Sequence, residues 1–165
     1  MFGNCMRRPL GENYARGWPA ELDQKGKGPL VLYESPDGAE AHGVWKLLSR
    51  YGYRMTWCPG PKGGFSQQCA LAATGHCPLV DEADVVVSAL DLADPLDQEV
   101  VHALNDKVAT ASPLTPVVVA AARSSAARWG EELPACSVVA GPLSSKVLIR
   151  SLSLAAPAGT AGSQP

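Results

Sequence analysis

The chain has 165 residues, a size that suits one domain with flanking segments. Hydrophobic residues make up 46% of it and charged residues 18%, and the formal net charge is −2. The hydrophobic share excludes a wholly disordered chain, and the near-neutral charge gives no strong field for nucleic acid or acidic lipid. Five cysteines, an odd number, do not match the framework of a small secreted disulfide-bonded domain.

The two ends of the chain differ in composition from its middle. Residues 1–28 show no apolar periodicity and a mild excess of basic side chains, which is typical of an N-terminal arm. Residues 155–165 are small and polar, which predicts a disordered tail. No apolar stretch follows the first charged residues, and none is long enough to span a membrane. We therefore expect a cytoplasmic protein.

The first predicted elements are a strand, a helix and a second strand. The apolar run at 29–33 predicts a buried strand. The turn at 35–38 then begins a helix whose apolar positions recur to residue 51, and Gly52 ends it. The alternating segment 53–57 predicts a second strand, more exposed than the first.

Three further strands alternate with helices in the second half of the chain. The strands are predicted at 83–89, 116–120 and 137–140. Asp94 and Pro95 begin the first of the helices, residues 124–132 form the second, and Ser144 or Ser145 caps the last. Five apolar, β-branched strands alternating with helices predict an α/β fold. We expect a flavodoxin-like three-layer sandwich whose five-stranded parallel sheet has the order 2-1-3-4-5.

Several segments resemble the receiver domain of two-component response regulators. They are 31–36, 47–53, 83–87, 115–122 and 140–144. The resemblance covers about residues 29–154, which we interpret as a receiver-like domain between the arm and the tail.

The resemblance implies a phosphorylation site that this chain carries in degenerate form. Receivers use an acidic pair after the first strand to hold Mg²⁺ and an aspartate at the end of the third strand to accept phosphate. A hydroxyl after the fourth strand and a lysine after the fifth neutralise the phosphoryl oxygens. Glu34 matches one acid of the pair, and the other three positions fall on Ala89, Ala121 and Gly141. Alanine accepts no phosphoryl group and glycine offers no charge, so we expect no aspartyl phosphorylation.

Two residues near the acceptor position keep an alternative open. Ser88 stands beside Ala89, and Asp91 follows two residues later, where a shifted loop would present a carboxylate. Without phosphotransfer, the resemblance implies a regulatory signalling module that is not an enzyme. Such a module acts through contact with a protein partner or as a homodimer, without membrane or nucleic acid. The contact surface would include Trp129, Lys146 and Arg150, beside the last strands and on the final helix.

The cysteines suggest a different kind of protein. Cys58, Cys69 and Cys77 fall within about 20 residues, and His76 precedes the third. Zinc sites take four such ligands and iron–sulfur clusters take four thiolates. The alternative function is therefore a small metal- or thiol-dependent redox or sensor protein. The spacings lack paired Cys-x-x-Cys motifs, so a cysteine pair or redox-responsive thiol is a further interpretation, and structural cysteines are the one we favour.

Acidic residues cluster after the third predicted strand. Asp91, Asp94 and Asp97, together with Glu34, have the chemistry to bind a hard cation. The other interpretation is that Asp94 caps the next helix while its neighbours are solvated.

Overall fold

A computed structural model describes residues 28–61, 71, 74, 75, 77–110 and 115–156. Residues 1–27 of the predicted arm and 157–165 of the predicted tail lie outside this set. Cys69 and His76 also lie outside it, as does most of segment 62–73.

Strands and helices alternate along the described chain. They are β1 (Leu30–Glu34), α1 (Gly38–Arg50), β2 (Arg54–Cys58), α2 (Pro78–Glu82), β3 (Val85–Ser88), α3 (Pro95–Thr110), β4 (Val117–Ala121), α4 (Ala126–Glu132), β5 (Ser137–Ala140) and α5 (Ser145–Ala155). All strand pairs are parallel, and the sheet has the order β2-β1-β3-β4-β5. The predicted fold class and strand order are confirmed.

The helices begin where local chemistry predicts. Asp37 accepts hydrogen bonds from the backbone N–H groups of Ala39 and Glu40 at the start of α1. Asp94 accepts one from Leu96, and Ser144 caps α5. These side chains satisfy N–H groups that the first turn of a helix leaves without intrahelical acceptors.

Three details differ from the sequence-based prediction. β2 lies at the edge of the sheet but is mostly buried, because core clusters cover both of its faces. The short helix α2 was not predicted, since five residues are too few to show a helical period. Helix α5 includes Ala155, one residue past the predicted boundary.

Alternating strand residues divide the core into two layers. Val31, Val85 and Val118 pack with α1 and α5 on one face of the sheet. Leu32 and Val86 pack with α2, α3 and α4 on the other. Successive strand side chains point to opposite faces, so each strand contributes to both layers. None of the described helices combines the length and apolar character needed to cross a membrane.

Side-chain contacts also tie neighbouring elements together. Lys107 on α3 is only 9% exposed and pairs with Asp81 on α2 at 3.0 Å. Asn105 on α3 accepts a hydrogen bond from the backbone N–H of Ala135 at 2.8 Å, which holds the loop before β5. Both contacts lie on the layer that contains α2, α3 and α4.

Candidate functional site

Three buried side chains form a row across the carboxyl ends of β2, β1 and β3. Cys58, Glu34 and Ser88 are direct neighbours in the strand register. They share the sheet face of Leu32 and Val86, because side chains two residues apart on a strand point the same way. Their exposed fractions are 2%, 3% and 0%, and the Ser88 hydroxyl makes no hydrogen bond to the described residues. Glu34 and Ser88, two residues of the predicted receiver-like site, are thus neighbours, and both lie inside the core.

The residue after Glu34 belongs to a separate hydrogen-bond network. The Ser35 hydroxyl donates to Oε1 of Glu40 at 2.6 Å, and the Tyr33 phenol donates to the same oxygen at 3.3 Å. The indole N–H of Trp57 donates to the Ser35 carbonyl at 2.8 Å. Burial, and then repulsion from Glu40, raises the pKa of Tyr33 well above its usual range. The Ser35 hydroxyl therefore donates its proton to a carboxylate in the first turn of α1.

The loops after β2 and β3 meet over the end of β1, which lies between these strands. Gly60 has φ of +80°, and a Cβ there would stand 2.9 Å from Cδ2 of Leu90. Pro59, Gly60, Pro61 and Leu90 are all buried. Open α/β sheets commonly bind ligands in a crevice at this point of the strand order. In this chain nonpolar contact between the two loops covers that crevice.

The three other predicted receiver positions lie at strand ends and form backbone hydrogen bonds. Ala89 follows β3, and its N–H donates to the carbonyl of Glu34 at 2.7 Å. Gly141 follows β5 and donates to the carbonyl of Ala121, the last residue of β4, at 2.8 Å. These bonds extend the strand pairing by one residue. No side chain at the three positions carries a polar atom.

The acidic residues after β3 have separate roles. Asp91 is exposed, and its Oδ1 accepts a hydrogen bond from the N–H of Ala93. Asp97 is buried, contrary to the solvated interpretation, and accepts a hydrogen bond from the N–H of Asp91 at 2.9 Å. Asp97 thereby anchors the loop that presents Asp91. Within the described ranges, no group of three or more His, Cys, Asp or Glu side chains is placed to hold a metal ion.

Two cavities flank the loop after β4. The first has a volume of about 540 Å³ and lies between the loops after β3 and β4, with Asp91, Gln98, Ser125 and Arg128 among its polar lining residues. The second has a volume of about 620 Å³ and lies between the ends of β4 and β5. It is lined by Ala120, Ala121, Ala122, Arg123, Ser124, Gly141 and Pro142.

The cysteines do not yet define a site. Cys58 ends β2 as predicted, and Cys77 is the N-cap residue of α2, where its side chain accepts no capping hydrogen bond. Both cysteines are buried in the same core layer. Cys69 lies outside the described residues, so the predicted metal set of Cys58, Cys69 and Cys77 stays a prediction. Burial raises the pKa of the Cys136 thiol to about 11. That thiol is therefore a poor nucleophile at neutral pH.

Trp129 does not belong to an exposed contact surface. It is 2% exposed and lies in the core beneath α4, where Arg128 stacks over its ring at 4.8 Å and the His102 ring lies 5.6 Å away. Trp129 is the buried residue of α4 and joins this helix to the core. Lys146 and Arg150 are exposed on α5, as predicted.

Comparison with known proteins supports the fold. No family model matches the sequence, and no curated protein is sufficiently similar to count as a match. Solved structures do match, among them the chemotaxis protein CheY4 of Vibrio cholerae. It is 17% identical with a TM-score of 0.54, and the alignment covers 78% of this chain and 98% of that chain. The fold is that of a receiver domain.

Two further structures have the same receiver fold. A response regulator receiver domain protein from Clostridium thermocellum has a TM-score of 0.54 at 15% identity, over 77% of this chain and 93% of that chain. The signal receiver domain of an HD domain-containing protein from Pseudomonas fluorescens has a TM-score of 0.51 at 18% identity, over 78% and 94% respectively. At sequence identities this low, the comparisons establish that the chain shares the fold of these proteins.

The receiver fold implies Mg²⁺ between the carboxyl ends of β1 and β3. The pair after β1 would be Glu34 and Ser35, and the Ser35 hydroxyl already donates to Glu40. Mg²⁺ is held in proteins largely by carboxylates and by the substrate's phosphates. Glu34 is the one carboxylate of this pair, and it is buried beneath the covered crevice, so the two residues do not fit a Mg²⁺ site.

One feature of this edge has no counterpart in the sequence-based prediction. Gly141 is buried with φ of +85°, and the side chain of Arg123 lies against it. A Cβ on Gly141 would stand 3.1 Å from Nε of Arg123 and 3.6 Å from its Cγ. The two residues are 18 positions apart on different loops, so no local spacing marks their contact. The one sequence signal is a glycine where a strand ends.

Proposed function

We propose that this chain is a regulatory signalling module that acts through protein contact and takes up no phosphoryl group. The receiver fold supports the signalling role. The observation that carries the proposal is the arrangement around β1, where the position after β3 is Ala89 and the loops after β2 and β3 cover Glu34. Phosphoryl transfer depends on in-line access and charge stabilisation, and this arrangement provides neither.

The exposed face of α5 supports contact with a protein partner. Lys146, Arg150 and Leu154 are spaced four residues apart and therefore share one face of the helix. Leu154 is 82% exposed, an unusual degree for a large apolar side chain. Two copies of this basic face would repel each other in a symmetric dimer, where like residues meet near the axis. The face therefore suits an acidic partner of a different sequence.

The absence of phosphorylation is directly testable. Incubation with acetyl phosphate and Mg²⁺, followed by intact-protein mass measurement, should give no mass gain. A gain of one phosphate that disappears in Asp91→Asn would assign the acceptor to Asp91 and contradict the proposal. A receiver domain with an intact acceptor aspartate, treated in parallel, verifies the phosphodonor.

The contact surface is testable by charge reversal with a matched control. The double variant Lys146→Glu/Arg150→Glu reverses the face of α5, while Lys46→Glu/Arg50→Glu reverses an exposed pair at the same spacing on α1. In quantitative capture from the source cells, we expect a partner that the wild type and the α1 variant retain and the α5 variant loses. Direct binding of that purified partner should weaken about tenfold or more in the α5 variant. Equal retention by both variants would contradict the assignment.

A further inference from the structure

The side chain of Arg123 lies against the backbone of Gly141. Its stem and Nε lie against Gly141, at a position that any Cβ on residue 141 would crowd. The positive φ of Gly141 also favours glycine over other residues there. Arg123 therefore packs against the end of β5 and is also solvent-exposed.

The charge of Arg123 has no counter-charge in the described part of the chain. Arg54 donates to the Gly28 carbonyl, and Arg128 pairs with Glu132 at 2.8 Å. The guanidinium of Arg123 forms no hydrogen bond or ion pair with any described residue. Its donors remain available in a fixed fork.

The cavity at this guanidinium suits a small anion. Its volume of about 620 Å³ lies in the range of ligand pockets, and it opens at the carboxyl ends of β4 and β5. Arg123 is the charged residue of its lining, the other members being three alanines, Ser124, Gly141 and Pro142. Ser124 lines the same cavity, and its hydroxyl is a further hydrogen-bond donor. Asp91, an acidic residue at the same edge of the sheet, lines the neighbouring cavity and accepts a hydrogen bond from the N–H of Ala93.

We propose that the cavity between the ends of β4 and β5 reversibly binds a small oxyanion, held by the guanidinium of Arg123 and the hydroxyl of Ser124. The planar fork of arginine matches the paired oxygens of a phosphate or a carboxylate. Binding forms no covalent bond and requires neither phosphotransfer nor a protein partner. The site is therefore independent of the function proposed above.

The test is a titration of the ¹⁵N-labelled protein with inorganic phosphate, in which the backbone amide chemical shifts measured by NMR report binding. Acetate forms a second arm, and sodium chloride at matched ionic strength is the screening control. We expect saturable shifts centred on 122–124 and Gly141 with phosphate or acetate, and none of that pattern with chloride. The tighter of the two anions identifies the ligand class as phosphate ester or carboxylate.

Variants separate the site from general surface charge. Arg123→Gln should weaken binding about tenfold, the usual effect of losing a charge-assisted pair of hydrogen bonds. Arg150→Gln removes an exposed arginine on α5 and should leave the dissociation constant within about twofold. Unchanged shifts in Arg123→Gln, equal weakening in Arg150→Gln, or shifts that follow ionic strength alone would overturn the proposal. Failure of this test leaves the phosphodonor and partner experiments unaffected, so the two proposals fail separately.

Discussion

At the scale of single residues, glycines show how closely the backbone packs. Gly28 precedes β1, and a Cβ added there would stand 1.7 Å from the carbonyl oxygen of Gly52. The obstacle is backbone, which cannot rotate away as a side chain can. Gly43 on α1 and Gly130 on α4 present the opposite case, because an added Cβ would meet no atom within 4 Å.

Gly28→Ala should therefore destabilise the fold by about 1–3 kcal/mol, the usual cost of overpacking. Gly43→Ala is the matched control and should stabilise by about 0.5–1 kcal/mol, because alanine favours the helix over glycine. Urea denaturation of the three proteins measures both effects. Equal midpoints for Gly28→Ala and wild type would show that the amino edge of the sheet is loosely packed.

Residues with local roles were the easiest to predict from the sequence. Asp94 and Ser144 were predicted as caps because a capping side chain acts within three residues of its own position. The burial of Trp129 and the contact between Arg123 and Gly141 depend on distant loops. Asp97 was misjudged for the same reason, since its acceptor role follows from the path of the β3 loop.

At the scale of elements, the ion pair between α2 and α3 is asymmetric. Lys107 is nearly buried whereas 37% of the Asp81 side chain is exposed. Loss of Asp81 leaves a buried ammonium without its partner, whereas loss of Lys107 leaves a carboxylate that water can reach.

We expect Asp81→Ala to cost about 2–3 kcal/mol and Lys107→Met about 1 kcal/mol or less. Methionine keeps most of the buried stem and removes the charge. Thermal unfolding of both variants at low and high salt measures the difference. A larger loss for Lys107→Met than for Asp81→Ala would contradict this asymmetry, because the ammonium would then stabilise the helix pair by more than its ion pair with Asp81.

The elements themselves were predicted well wherever they are long or apolar. Four of the five strands are short apolar runs and β2 is an alternating segment, and all five occur in the predicted order. Helix α2 was missed because its five residues show no period. The exposure of β2 was overestimated because its alternating pattern does not show that both sheet faces are covered.

At the scale of the whole molecule, the buried Tyr33 and the half-buried Cys136 make stability fall at alkaline pH. Burial raises the pKa of Cys136 from its ordinary value of 9.0 to about 11, and that of Tyr33 upward from 10.0. The neutral forms are favoured in the folded state, so the contribution is fully present below pH 9. As pH rises the unfolded chain loses these protons first, and the stabilisation is lost as pH passes through the folded values.

The free energy of unfolding should therefore decline from about pH 9 upward. Cys136→Ala should flatten the decline between about pH 9 and 10, while Tyr33→Phe should flatten it only above about pH 10. Urea denaturation at half-unit steps of pH gives both profiles. Parallel profiles for wild type and Cys136→Ala would show that the thiol ionises equally in both states.

The close contact between Gly60 and Leu90 also limits how a receiver's acceptor site could be built into this chain. An aspartate placed at position 89 would supply the carboxylate that Ala89 lacks. The loops after β2 and β3, which meet over the end of β1, would still separate that carboxylate from a phosphodonor in solution. The acceptor side chain is set by residue 89, whereas the access of a phosphodonor to it is set by the contact between Gly60 and Leu90. Installing a receiver's acceptor chemistry would therefore take coordinated changes in two places, and we expect neither change alone to make position 89 reactive toward phosphodonors.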